Sequence, residues 1–140
     1  MNDDVLPLPA ADLCSEEEVS ALVRRFYARV RKDDLLGPVF GARVHDWEAH
    51  LLHLIDFWSA MLRGTRRFSG TPMPKHMAMD ELSAELFERW LLLFRQTTAE
   101  LGNGPMQRLA DSVAARIADT FWRRFQMLRW PVLPTHPGAV

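Results

Sequence analysis

From Val19 onward, apolar residues return every three or four positions, so that Val19, Leu22, Val23, Phe26, Tyr27 and Val30 form one stripe. Ser15 and Glu18, just ahead of it, have the spacing of a capping box. This pattern predicts an amphipathic helix whose outer face carries Arg24, Arg25 and Arg31 as solvated charges. Gly37-Pro38 ends the stripe, and Val39-Phe40 reads as one tight turn released by Gly41. A second helix starts at the cap Asp46 and runs to about Leu62, with Leu51, Leu54, Ile55, Trp58, Met61 and Leu62 on a wide buried face, and Gly64 stops it. Ser83 caps a third, whose stripe Leu86, Phe87, Trp90, Leu91 and Phe94 reaches Leu101 before Gly102. A fourth begins near Pro105 and continues through Leu109, Val113, Ile117 and Phe121 to about Gln126. No stretch alternates with a period of two between hairpin turns, so the predicted fold class is all-α.

Between Gly64 and Ser83 come Gly70, Pro72 and Pro74, a long connection without a helical pattern, and such loops in compact domains are usually functional or disordered. The expected organisation is an N-terminal extension over 1–14 with Pro7 and Pro9, a folded unit over 15–126, and a Pro-rich tail over 127–140. A length of 140 residues fits one domain, and 48% hydrophobic with 25% charged residues is an ordinary globular composition. Seventeen basic residues against eighteen acidic ones leave a net charge of −1, which argues against charge-driven binding to nucleic acid or anionic lipid. The single Cys14 forms no intrachain disulfide, the first thirty residues carry no secretion signal, and charges break every apolar stretch short of a membrane span. A cytoplasmic protein that does not cross a membrane is expected.

Five Trp and eight Phe beside one Tyr make an aromatic supply large for a small core and suited to lining a flat apolar cofactor. His76 sits in the segment Thr71-Pro72-Met73-Pro74-Lys75-His76-Met77, apolar in spite of its breakers. Such a histidine is either a packed or surface side chain, or an axial ligand to haem iron, which would give the loop a reason to be buried. His50 lies near the start of the second helix, where Leu54 and Phe57 fall within about 40° of it on the same face. His53 points elsewhere and reads as a surface residue; the pair at a spacing of three admits a two-His metal site, but no carboxylate or thiol completes it. Tyr27 and Trp90 are polar aromatics on apolar stripes, whose donors go either to backbone carbonyls or to a ligand. Trp47, Trp58 and Phe40 read as packing bulk.

Phe26-Tyr27 with Arg31-Lys32-Asp33, Leu36-Gly37-Pro38-Val39-Phe40, Trp47-Glu48-Ala49-His50, Phe57-Trp58 with Gly64, the stretch from Gly70 through Pro72 to His76, and Phe87-Glu88-Arg89-Trp90-Leu91 occur in that order over roughly residues 19–94. The ordered set resembles the truncated haemoglobins, and within them the third group; the absence of a Gly-Gly pair suits that group. The resemblance implies a shortened globin fold with two helices stacked over two, haem b between them, and His76 as the proximal iron ligand. It assigns Tyr27, His50 and Trp90 to the distal side and wedges Phe40 against the porphyrin. Leu54, Phe57, Trp58, Met77 and Phe87 join the apolar surround, with Arg66, Arg67 and Lys75 as candidate partners of the haem propionates.

The function implied is binding of dioxygen, nitric oxide and carbon monoxide, with Tyr27 and Trp90 each donating a hydrogen bond worth about 1–2 kcal/mol. Ligands held that tightly suit redox chemistry, such as nitric oxide dioxygenase or peroxidase-like activity, better than oxygen transport. An electron donor of unknown identity would be needed, and a monomer is expected. The rival readings are a haem-based sensor and a haem-free all-α interaction module.

Overall fold

The structure, a computed structural model, describes residues 5–68 and 83–129, from 124 onward as backbone. Its helices are α1 (Glu16–Lys32), α2 (Leu36–Arg43), α3 (Trp47–Arg63), α4 (Ala84–Glu100) and α5 (Gly104–Arg129), and no strand occurs among the described residues. Most ends follow local chemistry. At α1 the Ser15 hydroxyl accepts from the Glu18 N–H at 3.0 Å while the Glu18 carboxylate accepts from the Ser15 N–H at 2.9 Å. Asp46 and Ser83 accept from Ala49 and Leu86 N–H to cap α3 and α4. Gly64 closes α3 at φ 78°, a left-handed value that costs a glycine nothing.

One element departs from the sequence expectation. Where a single turn is expected at Val39-Phe40, the chain forms the eight-residue α2. Its start is held by Asp33, whose Oδ2 accepts from the N–H groups of Leu35 and Leu36 at 3.0 and 2.9 Å. Gly37 and Pro38 then fall in the first turn, where a missing N–H loses no helical bond. Gly37 backs directly onto α1: a Cβ there would lie 2.8 Å from the Arg31 carbonyl oxygen, so the close approach of the two helices depends on the bare backbone.

The helices stack two over two. α1 and α3 pack together, α4 and α5 pack together, and contacts of α1 with α4 and of α3 with α5 join the layers; α2 bridges α1 and α4. The six stripe residues of α1 are all buried, facing Leu54 and Leu62 of α3, Phe94 of α4 and Met106, Leu109 and Val113 of α5 in one apolar core. The polar residues inside it are satisfied. Thr97 accepts from Arg29 and donates to the Leu93 carbonyl, and Thr98 donates to Asp111 at 2.8 Å.

Residues 10–14, the last of the expected N-terminal extension, lie against the ends of α3 and α5. The Ala10 N–H donates to the Leu62 carbonyl, Arg63 donates to the carbonyls of Ala11 and Cys14, and the Asn103 amide donates to that of Leu13. Cys14 is buried by this strap. No described helix is long and apolar enough to cross a membrane.

Candidate functional site

α1, α2 and α3 converge on Tyr27, which is 4% exposed. Around its ring stand Phe40 at 5.9 Å, Trp47 at 6.1 Å and His50 at 5.7 Å between centroids. From α4, the Trp90 indole packs flat on Phe94 at 5.7 Å and edge-on to Phe26 at 5.4 Å. Burial pushes the Tyr27 phenol well above its ordinary pKa, and the Trp90 N–H, directed at the hydroxyl, opposes that rise. The phenol is therefore neutral at pH 7 and keeps its O–H as a donor. Read from sequence, Tyr27 and Trp90 are two parallel donors; in the structure the indole acts on the phenol oxygen, and the Tyr27 O–H donates to no described residue.

His50, in the first turns of α3, is held edge-on between two rings, Tyr27 and Trp47, each at 5.7 Å and 82°. Its Nε2 is buried and has no hydrogen-bond partner among the described residues. Burial lowers its pKa below the ordinary value and the neighbouring His53 adds to the effect, so the imidazole is neutral at pH 7. His53, expected at the surface, is half-buried instead, its ring 4.9 Å from Phe68, which also meets Phe57 at 4.9 Å. The segment after α3 folds back and covers it.

Three residues that sequence reading left out of the site stand beside it. Trp47, read as bulk, carries the Arg31 guanidinium over its ring at 4.5 Å. Arg24, read with Arg31 as a solvated charge, grips Glu48 with both nitrogens at 3.0 and 2.9 Å. The available signal was spacing: Arg31 lies four residues after Tyr27 and Trp47 three before His50, so each shares a helix face with a candidate residue.

Leu54 and Phe57 continue the His50 face of α3 as buried apolar residues. Phe57 lines an apolar cleft of about 340 Å³ between α3 and α5, together with Met61, Val113, Ile117 and Phe121. Trp58 is 3% exposed and stacked on Phe94 at 5.0 Å, within the core. Phe87 is half-buried in the seam of α4 and α5, 5.9 Å from Trp122. Arg66 and Arg67 are both exposed, and Arg67 pairs with both Glu16 and Asp56. His76, Lys75 and Met77 lie outside the described residues.

Among the described residues no three His, Cys, Asp or Glu side chains are grouped to hold a bare metal ion, and the His50/His53 pair acquires no further ligand. The arrangement fits a haem instead. A macrocycle asks for an apolar wall, here supplied by Leu54 and Phe57. It also asks for a few buried polar atoms close together, here the Tyr27 hydroxyl and the Nε2 of His50, which has no partner among the described residues.

The sequence matches the family described as bacterial-like globin over residues 12–121. A group 3 truncated hemoglobin of Campylobacter jejuni subsp. jejuni is 33% identical over 111 residues, which cover 76% of this chain and 87% of that protein. The crystal structure of a group III truncated hemoglobin from Campylobacter jejuni superposes with a TM-score of 0.71 at 31% identity, over 83% of this chain and 94% of that one. With the two-over-two sandwich, these matches establish that the chain belongs to the bacterial-like globins, a family of haem proteins, and among them to the group III truncated haemoglobins.

Proposed function

We propose that the protein binds haem b, which His76 would hold through its iron and the apolar face of α3 would line, with Tyr27, His50 and Trp90 as the distal residues that meet a bound ligand. There it binds dioxygen, nitric oxide and carbon monoxide for redox chemistry, of the kind that removes nitric oxide or peroxide, rather than for oxygen transport. The observation that carries this reading is the Tyr27 hydroxyl, buried and neutral with the Trp90 indole acting on it, beside the Nε2 of His50, which has no partner among the described residues. Haem, when bound, supplies the seat for a diatomic ligand and the electron chemistry.

This chain's own residues supply the rest. Tyr27 donates its O–H to a ligand atom of partial negative charge, and the Trp90 N–H, acting on the phenol oxygen, makes that donor stronger. Such a bond in a dry pocket contributes about 1–2 kcal/mol, or roughly one decade in the rate of ligand release. Slow release suits turnover of a held ligand and works against delivery. Neutral His50, at the edge of the group, gates entry and is placed to pass a proton. Leu54 and Phe57 keep water out, and Phe40 wedges the porphyrin. Electrons come from a separate donor, and the protein acts as a cytoplasmic monomer.

The test is spectroscopic. Purified protein titrated with haemin should develop a Soret band with a stoichiometry of one, and its ferrous carbon monoxide form should show imidazole ligation. His76→Ala should lose most of the haem. A colourless protein with no Soret band would leave a haem-free interaction module as the reading.

A further inference from the structure

The function proposed above gives His50 the edge of the distal site, and a gate needs something that determines when it is closed. We propose that Trp47, held in place by Arg31, is the positioning residue that keeps the His50 imidazole turned into the distal site and so regulates how fast diatomic ligands pass it.

The geometry has three parts. His50 is bracketed by two rings that meet it at the same distance and angle, 5.7 Å and 82°. Those two rings, Tyr27 and Trp47, also face each other at 6.1 Å, so the three side chains form a closed triangle. Its corners are not equally fixed. Tyr27 is buried in the core, with Phe26 and Phe40 against it. Trp47 is half-buried, in the first turn of α3, and leaves one side toward solvent. On that side the Arg31 guanidinium lies 4.5 Å from the ring centroid. A planar cation over an indole face restrains the ring without locking it, since the attraction at an exposed site is modest and reversible.

The neighbouring residue has a different part. Arg24 holds Glu48 with two hydrogen bonds, which ties the same turn of α3 to α1 and keeps Trp47 within reach of Arg31. His50 itself has no hydrogen bond to hold its Nε2, so ring packing is what sets its orientation among the described residues. When Trp47 leaves its place, the imidazole loses one of its two walls and can turn outward.

This inference rests on the haem-binding reading, and the two fail differently. A parent protein without a Soret band sinks that reading before any variant is made. For the inference, the haem-loaded ferrous carbon monoxide form is used throughout, being diamagnetic. The His50 ring protons are assigned by comparison with His50→Gln and followed by NMR in Trp47→Leu, Trp47→Phe and Arg31→Met. The displacement of the His50 ring signals that Trp47 causes should vanish in Trp47→Leu, persist largely in Trp47→Phe and be reduced in Arg31→Met. Carbon monoxide association after flash photolysis should rise roughly twofold to fivefold in Arg31→Met, the range that loss of an exposed cation–π contact allows, and more in Trp47→Leu. His50 signals unchanged in Trp47→Leu would overturn the proposal. If that variant does not hold haem, Arg31→Met, a change on the outer surface, decides: association equal to the parent, with unmoved His50 signals, overturns it as well.

Discussion

Asp33, at the end of α1, and Arg89, on α4, meet at 2.5 Å, and the pair ties the end of α1 to the turn of α4 that carries Trp90. Asp33 is the buried member, its side chain 9% exposed against 38% for Arg89. Burial alone would raise its pKa, but hydrogen bonds from the Leu36 N–H, Arg89 and the Leu35 N–H outweigh that and hold the carboxyl below its ordinary value. One carboxylate thus ties the start of α2 to the turn of α4 that carries Trp90. Asp33→Ala should destabilise the protein by about 2 kcal/mol, mostly through the lost cap, because the half-exposed ion pair contributes little by itself. Urea unfolding at pH 7 measures this. A lowered carboxyl pKa also predicts that the difference is present above about pH 4 and shrinks as the pH falls through the folded-state value. A variant as stable as the parent would show that α2 does not depend on Asp33.

The series arrangement of Trp90 and Tyr27 makes a kinetic prediction about pairs. Tyr27→Phe removes the donor and should speed oxygen release roughly tenfold, as the loss of about 1.4 kcal/mol implies. Trp90→Phe should have a smaller effect, since it only weakens that donor. The double variant should release oxygen no faster than Tyr27→Phe alone. Stopped-flow rates that multiply would mean that the indole acts on the ligand independently.

His50 predicts a pH dependence of stability. Its folded-state pKa is below the unfolded value of about 6.5, because burial disfavours the imidazolium. Between those two values the unfolded chain binds more protons, so stability rises with pH there and is lost as the pH drops below about 6.5. His50→Gln should flatten this slope in urea midpoints compared between pH 7.5 and 5.5. An identical slope would mean that the imidazole titrates normally.

Arg66 and Arg67 are adjacent but not equivalent. Both are exposed, but the Arg67 guanidinium is already engaged by Glu16 at 3.1 Å and Asp56 at 3.0 Å, while Arg66 makes no ion pair among the described residues. Breaking a doubly paired cation away costs those bonds, so Arg66 is the better placed to meet a propionate. Arg66→Ala should therefore speed haem transfer to apomyoglobin more than Arg67→Ala does. The reverse order would show that Arg67 leaves its carboxylates when haem is present.

How much of this was legible in the chain follows the range of the interaction. The caps Ser15, Asp46 and Ser83 and the stop at Gly64 act within one turn, and their residue types announce them. α2 did not announce itself, because Gly37 and Pro38 are breakers by type and become first-turn residues only through Asp33 and the close passage of α1. The stripes placed Tyr27, His50 and Trp90 each on an apolar face, but periodicity describes one helix at a time. That the three belong to one site came from the ordered resemblance. The Arg31–Trp47 contact and the fold-back of Phe68 onto His53 cross between elements, where a helical wheel is silent. For the same reason the wheel could not separate Trp58, which faces Phe94, from Phe87, which faces Trp122.

The strap that covers Cys14 has a chemical consequence. Burial first, then the nearby carboxylate of Glu18, pushes its thiol up to about 11, with Arg63 pulling the other way and Glu16 adding to the rise. At neutral pH only about one molecule in ten thousand then carries the thiolate, which is the form that attacks oxidants. An exposed thiolate that met nitric oxide or peroxide would be open to sulfenic acid formation or a covalent dimer. Here the chain's single thiol is kept protonated and out of reach, so repeated encounters with such molecules need not inactivate the protein through its cysteine.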